Sequence, residues 1–412
     1  MAAKFTLKQV RTLFLVLAFG VLVFAGGYET ATVRLGRSPN NALIQKFVGN
    51  PAAGVPSGAD FSEFWNVWGR LQQSYFDPKA VDYQKMTYGS IKGLAQSLGD
   101  PYTQYLTPDE NKQATENLSG SFYGVGIELG YKENTLTVVS PIKGSPAEAA
   151  GIKAGDFILH IKDSKKNLDV DTTNMTLPTA VTDIRGEKGT VVTLTILHPG
   201  AVKTTPTDIT RDTITVPSVE LAYVKQSGKN IAHLSLHQFG GNTETEWAQK
   251  VAEINANHVD GVVLDLRDNP GGYLDEAVYI VSEFVKDGVV VQQQGRTNTD
   301  TYSVNRHGNL LTIPLTVLVN GGSASAAEIT AGSLQDHKRA IIVGEQSFGK
   351  GTVQEIQDLA DGSSLHVTVA HWLLPSGRWI GKEGITPDVK VTAGDDLKKD
   401  PQLDAAVGLL TK

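Results

Sequence analysis

The chain has no cysteine among its 412 residues, so it can form neither a disulfide framework nor a thiol nucleophile. It has no surplus of positive charge either. Lys and Arg number 37 against 44 Asp and Glu, giving a net charge of −7, and no long basic cluster breaks that balance. Nucleic acid is therefore not an expected partner. No H-E-x-x-H or similar spacing is present, so no metal is expected, and nothing in the sequence calls for a cofactor. The length is sufficient for two or more domains, each with its own core.

One long apolar run stands near the start. Residues 12–28, TLFLVLAFGVLVFAGGY, carry no charge and follow Lys4, Lys8 and Arg11. That asymmetry keeps the N-terminus in the cytoplasm and sends the rest of the chain across a membrane. The run is about as short as a spanning helix can be, and no clear A-x-A cleavage site follows it. The expectation is an uncleaved anchor within residues 1–30, with a cleaved signal peptide as the competing reading. Residues 31–60, with Pro39, Pro51, Gly54, Pro56 and Gly58, read as a linker.

The most informative stretch is Thr316 to Gln354. An apolar run from Leu315 to Val319 ends in Asn320-Gly321-Gly322, and a helical pattern starts at Ser325. A second run, Ala340 to Val343, opens onto a glycine-rich loop carrying Lys350. Two parallel strands would place this serine and lysine at their C-terminal ends, where open α/β sheets keep their chemistry.

Four readings compete for this stretch. In the first, Ser325 is a nucleophile and a neutral Lys350 takes its proton, which requires burial or a nearby cation to lower the lysine's pKa. In the second, Ser325-x-x-Glu328 is a capping box and only starts a helix. In the third, Gly344-x-x-x-x-Gly349-Lys350 is a P-loop of a nucleotide hydrolase, with Asp265 on its acidic strand. Gly351 stands where the magnesium-binding Ser or Thr belongs, the strand order is reversed, and ATP is scarce outside the cytoplasm. In the fourth, Ser347-Phe348-Gly349-Lys350 is a Ser-x-x-Lys motif, but its glycines oppose the helix turn that motif needs.

Gly322-Ser323-Ala324-Ser325-Ala326 with Glu328, then Gln335-Asp336, Gly344-Glu345 and Phe348-Gly349-Lys350-Gly351-Thr352-Val353-Gln354, resembles the carboxyl-terminal processing (tail-specific) proteases. The likeness runs from about Phe61 onward. It implies that Ser325 is the nucleophile, Lys350 the general base and Gln354 the residue that orients the lysine. It also implies a mixed-sheet α/β serine protease core of crotonase/ClpP-like type, with an inserted PDZ domain and an N-terminal helical segment.

Three further regions fit that frame. Asp60 to Leu98 carries Phe61, Phe64, Trp65, Trp68, Leu71 and Tyr75 at helical spacing, read as core packing. Asp100-Pro101-Tyr102-Thr103 and Tyr105-Leu106 follow, with no catalytic role assigned. Tyr123-Gly124-Val125-Gly126-Ile127 leads into a strand, and its glycines would let backbone N–H groups grip a chain-terminal carboxylate. An ordinary turn is the plain alternative. With Ser145-Pro146-Ala147 and Ala154-Gly155-Asp156, however, the pattern resembles a PDZ domain. After Val262 to Leu266, Asn269-Pro270-Gly271-Gly272 exposes backbone N–H groups suited to an oxyanion hole. Gly271 and Ala326 are the residues expected to supply it.

Asp336 is expected to be structural. None of His233, His237, His258, His307, His337, His366 and His371 has the flanking pattern of a catalytic histidine. The expected division is 61–112 helical segment, 113–207 PDZ domain, 208–394 protease core and 395–412 a charged, helix-prone tail. The expected protein is a bacterial serine endopeptidase, membrane-anchored and extracytoplasmic, in the periplasm or at the cell surface. It would act on proteins or peptides with free C-termini, and self-association is left open. An inactive PDZ adaptor is the alternative.

Overall fold

A computed structural model describes residues 60–412 apart from 133, 382 and 395–398. The apolar run at 12–28 and the linker before residue 60 lie outside the described residues. Among those described, no helix is long and apolar enough to cross a membrane.

Of the described residues, 60–83 belong to a unit of their own. Its helix α1 (Ser62–Ser74) starts where the Asp60 carboxylate accepts the Ser62 N–H. The aromatic stripe expected to be core packing is not buried: Phe61, Phe64, Trp65, Leu71 and Tyr75 are 37–55% exposed. The rings instead lie against one another, Phe64 on Trp65 at 4.9 Å and Trp68 stacked on Tyr83 at 6.4 Å. One helix has no second layer of its own to bury such a stripe.

The second unit begins with α2 (Tyr83–Gln96), β1 (Gln104–Leu106) and α3 (Pro108–Leu118). The chain then passes along β2 (Ser121–Gly124) into a small sheet domain. Its strands are β3 (Ile127–Lys132), β4 (Thr135–Pro141), β5 (Phe157–Asp163), β6 (Leu168–Asp171), β7 (Val191–Leu197) and β8 (Thr205–Thr210). Two helices, α4 (Pro146–Ala149) and α5 (Leu177–Ile184), complete it. Strand β7 alternates exposed and buried positions, and its Val192, Leu194 and Ile196 join Leu136, Val138, Ile158 and Ile161 in one core. The chain leaves along β9 (Asp212–Thr215), which pairs antiparallel with β2. Entry and exit are thus a single two-stranded ribbon.

The larger domain is built on β10 (Val219–Gln226), β11 (Lys229–Leu236), β12 (Gly261–Asp265), β13 (Val289–Gly295), β14 (Thr299–Ser303), β15 (Leu315–Val319), β16 (Ile341–Gly344), β17 (Thr352–Asp358), β18 (Ser364–Leu373) and β19 (Val389–Lys390). Its helices are α6 (Thr243–Ala256), α7 (Leu274–Phe284), α8 (Ala326–Asp336) and α9 (Pro401–Leu410). The main sheet runs β10-β11-β12-β15-β16-β19, parallel except for the β10–β11 hairpin. Every residue of β12 and β15 is buried, as unbroken apolar runs require of central parallel strands.

Alternation assigns the two faces of this sheet. Val262, Leu264, Val317 and Val319 pack in the large core with residues of α6, α7 and α8. Val263, Leu318 and Val343 face Ala406, Val407 and Leu410 of α9. The C-terminal tail is therefore the helix its sequence favours, and it covers the second face. Arg267 secures it by donating to both Asp265 and Asp400. A second sheet places β18 between β13 and the β1 and β17 strands, bringing the segment around residues 100–106 beside the loop before β17.

Candidate active site

Three loops leave the same end of the main sheet: 266–273 after β12, 320–325 after β15, and 345–351 after β16. The expectation that neighbouring parallel strands carry the serine and the lysine matches the pairing of β15 with β16.

Ser325 sits at the N-cap of α8 with φ 53° and ψ −115°. A non-glycine residue with positive φ and this ψ lies in a sparsely populated region, which costs about 1–3 kcal/mol unless the surroundings impose it. They do. Ala324 N–H donates to Asn269 O on one side (2.9 Å), and Ser325 N–H donates to Glu328 Oε2 on the other (2.9 Å). Gly271 lies against this turn, where a Cβ would come within 2.8 Å of Ser325 Cβ. With φ +98° as well, the position requires glycine.

Lys350 is not in a helix; residues 345–351 form an irregular loop, as their glycines dictate. Its ammonium faces the Tyr102 ring, with Nζ 5.4 Å from the ring centroid. Burial pushes its pKa down from the ordinary lysine value, and the Glu328 charge opposes that shift. Among the described residues no protein acceptor takes a hydrogen bond from Nζ. Gln354, on β17, donates from Nε2 to Thr352 Oγ1 (2.9 Å) and Thr368 Oγ1 (3.1 Å).

Glu328 joins the two halves. Its side chain is fully buried, and its carboxylate accepts from Ser325 N–H, Lys350 N–H (2.9 Å), Gly349 N–H (2.6 Å) and Ser347 Oγ–H (2.6 Å). Ser325 and Lys350 share one oxygen, Oε2, at 2.9 Å each, so their backbone nitrogens lie no further apart than twice that distance. Burial raises the Glu328 pKa, while these four hydrogen bonds favour its ionised form. The sequence gives Glu328 only as the end of a capping box; its grip on the lysine loop, 22 residues away, is tertiary.

The expected oxyanion donors differ in readiness. Ala326 opens α8 beside Gly271, and its N–H has no acceptor among the described residues. Gly271 N–H is engaged by Asn269 Oδ1 at 2.8 Å, and Asn269 is itself held by donating to Leu236 O.

In the small domain, Gly124 ends β2, Gly126 turns with φ +77°, and Ile127 opens β3. Val125 is buried and Tyr123 exposed. The turn's carbonyls face inward, Val125 O accepting from Ala147 N–H and Gly126 O from Ile142 N–H and Ser145 Oγ.

The remaining candidates are held elsewhere. Asp336 lies at the far end of α8, about 16 Å along the axis from Ser325, and accepts Ser376 N–H. Ser235, His233 and Asp265 mimic a triad in composition. Both neighbours meet the same ring nitrogen, His233 Nε2, at 3.4 and 3.0 Å, so no proton path runs through the ring. Asp265 is bound by Arg267 and His233, which, against burial, hold its pKa down at about 2, and no His/Asp/Glu cluster among the described residues could hold a metal. Sequence reasoning gave Asp100, Tyr102 and Thr103 no role and passed over Thr368: Tyr102 faces Lys350, Thr368 accepts from Gln354 Nε2–H and donates its N–H to Thr103 Oγ1, and Asp100 accepts from Tyr102 N–H and Thr103 Oγ–H. For the first three the only sequence signal was their place just before the inserted domain, and Thr368 had only the alternation of a strand.

Residues 230–391 match the model of peptidase family S41, and residues 113–197 match the PDZ domain model. Carboxy-terminal processing protease CtpA of Bacillus subtilis is 37% identical over 347 residues, covering 84% of this chain and 72% of the relative. The chain belongs to the carboxy-terminal processing proteases of family S41. It is a serine peptidase with a PDZ domain. A second member of that family from Bacillus subtilis, CtpB, is 35% identical over 323 residues, 78% of this chain and 66% of the relative. A crystal structure from Bacteroides fragilis assigned to the S41 proteases superimposes with a TM-score of 0.54 at 16% identity, covering 83% and 96% of the two chains; it bears on the fold alone.

Proposed function

We propose that this carboxy-terminal processing protease is an exported endopeptidase that cuts proteins or peptides near their C-termini through a Ser325–Lys350 dyad. The observation that supports it is the shared Glu328 oxygen, which holds the backbones of both residues at one sheet end. Ser325 Oγ attacks the scissile carbonyl while the neutral Lys350 amine takes its proton. The Ala326 N–H, at the positive end of α8, receives the oxyanion, and Gly271 N–H joins it when it leaves Asn269. The lysine then returns the proton to the leaving amine, and water resolves the acyl-enzyme along the same path. Gln354 orients the lysine.

In this reading the turn from Tyr123 to Ile127 receives a substrate's C-terminal carboxylate on its N–H groups, since its carbonyls are turned inward. The uncharged run at 12–28, behind three basic residues, supports export and tethering at an extracytoplasmic membrane face. The division at residues 61, 113, 208 and 395 is kept as part of this proposal.

A serine-directed fluorophosphonate on the full chain tests the chemistry. Labelling should map to Ser325 and be lost in Ser325→Ala and Lys350→Ala. Labelling that survives Lys350→Ala undiminished would remove the lysine from the mechanism. Peptides with free and amidated C-termini test the recognition; equal cleavage of both would remove the carboxylate from it.

A further inference from the structure

Glu328 fixes the backbone of Lys350, but the lysine's ammonium stands at the end of a long flexible stem and needs a partner of its own. Glu328 does not provide it. An ionised carboxylate has about four lone-pair sites, and those of Glu328 are filled. Oε1 accepts Ser347 Oγ–H and Gly349 N–H, and Oε2 accepts Ser325 N–H and Lys350 N–H. The carboxylate attracts the ammonium through space without binding it.

The ring of Tyr102 takes that place. Lys350 Nζ lies over it, 5.4 Å from the centroid. That is inside the about 6 Å at which the negative face of an aromatic ring attracts a cation. Burial, then the Glu328 and Asp100 charges, push the Tyr102 hydroxyl above the usual tyrosine value, so the ring is an uncharged phenol.

The ring is mounted on the sheet that also holds the lysine's strand. Asp100 accepts Tyr102 N–H (3.0 Å) and Thr103 Oγ–H (2.7 Å), and the buried Thr103 accepts Thr368 N–H of β18 (3.1 Å). β1 follows with Tyr105 buried, and it pairs with Ser364 to His366 of β18. The same three residues pair with β17, the strand that leaves the lysine loop. β18 therefore carries the tyrosine turn on one edge and the lysine's strand on the other.

We infer that Tyr102 is a positioning residue for the dyad: the face of its ring receives the Lys350 ammonium and holds Nζ in the site. The inference rests on the Ser325–Lys350 reading. It puts the ring on the same side as Glu328 of α8, both favouring the ammonium, while burial disfavours it. His366 of β18 adds little charge, because burial and the lysine's own charge push it toward its neutral form.

The test places phenylalanine or its ring-fluorinated forms at position 102 of the full chain and follows kcat and KM on one peptide across a pH series. Phenylalanine keeps the negative face; fluorines keep the ring's shape and burial and withdraw the charge from that face. Tyr102→Phe should keep the wild-type acid limb of kcat/KM. Tyr102→trifluoro-Phe should move that limb to lower pH by about half a unit. Its kcat on the alkaline plateau should fall about threefold with KM unchanged, because the lysine becomes an ammonium as it takes the serine's proton. Tyr102→fluoro-Phe should fall between the two, and it carries the test if the trifluoro variant fails to fold. Coincident limbs in the Phe and fluorinated variants would reduce the ring to packing and overturn the inference. Lys350→Ala separates the two ideas: activity in that variant would overturn the dyad itself, whereas an inactive Lys350→Ala beside coincident limbs would remove only the role of the ring.

Discussion

The serine turn and the lysine loop meet at one carboxylate and are built on opposite principles. Ser325 stands at a junction of regular elements: a buried strand ends, the backbone turns through an unfavourable conformation held by Asn269 O and Glu328, and α8 begins. Lys350 has no regular structure of its own. Its position comes from Glu328 on one neighbouring element, Tyr102 on another, and the end of β16 behind it. A nucleophile can be aimed by local backbone. A base that must be neutral needs an environment, and an environment has to be assembled from distant parts of the chain.

The largest break in this pairing is loss of either side chain. Ser325→Ala and Lys350→Ala should each lower turnover by on the order of 10⁴-fold or more, and the double change should cost little beyond either one, since members of a unit are not additive. Additive losses in steady-state kinetics would mean that the two residues act separately.

Next comes the link between them. Glu328→Gln keeps one accepting oxygen where four donors converge. Activity should drop by roughly a hundredfold through misplacement of the lysine loop, and stability by about 2–3 kcal/mol through unsatisfied buried donors. Denaturant melts showing wild-type stability would contradict this role. Because the Glu328 charge favours the Lys350 ammonium, the variant's residual activity should also have its acid limb at lower pH than wild type.

The wild-type pH profile sharpens the contrast further. In the proposed dyad Lys350 works only when neutral, so kcat/KM should rise with pH through the lysine's apparent pKa. Burial lowers that pKa, which puts the rise below the pH of an ordinary lysine's titration. Lys350→Arg should be inactive at every pH, because a guanidinium keeps its proton. A profile flat into the acid range would point to a different base.

The smallest effect concerns the serine turn alone. At φ 53° glycine is at ease and alanine is not, so Ser325→Gly should be more stable than Ser325→Ala by about 1 kcal/mol, both being inactive. Equal melting temperatures would show that the turn is unstrained.

Much of this was legible beforehand. Unbroken apolar runs gave β12, β15 and β16, small residues after Val319 gave the turn, and glycines excluded a helix around Lys350. The PDZ strands and the order of modules were read from pattern and family likeness. Two things were misjudged or missed. The aromatics of α1 were read as core from their spacing, yet spacing only says that a face is apolar and not that another element covers it. Glu328 was read only as the end of a capping box, and Asn269 passed without a role, because each acts on a partner distant in sequence or through a backbone group.

The sequence by itself determined the elements, the strand ends on which Ser325 and Lys350 stand, and the chemistry those two side chains can perform. Those features follow from local periodicity, turn residues and side-chain type. Only the tertiary structure decided that one buried carboxylate holds both residues, that Gly271 points its N–H at Asn269, and that the Asp100 turn backs the lysine. Burial and hydrogen-bond direction are properties of assembled surroundings, and no residue carries them before the chain has folded.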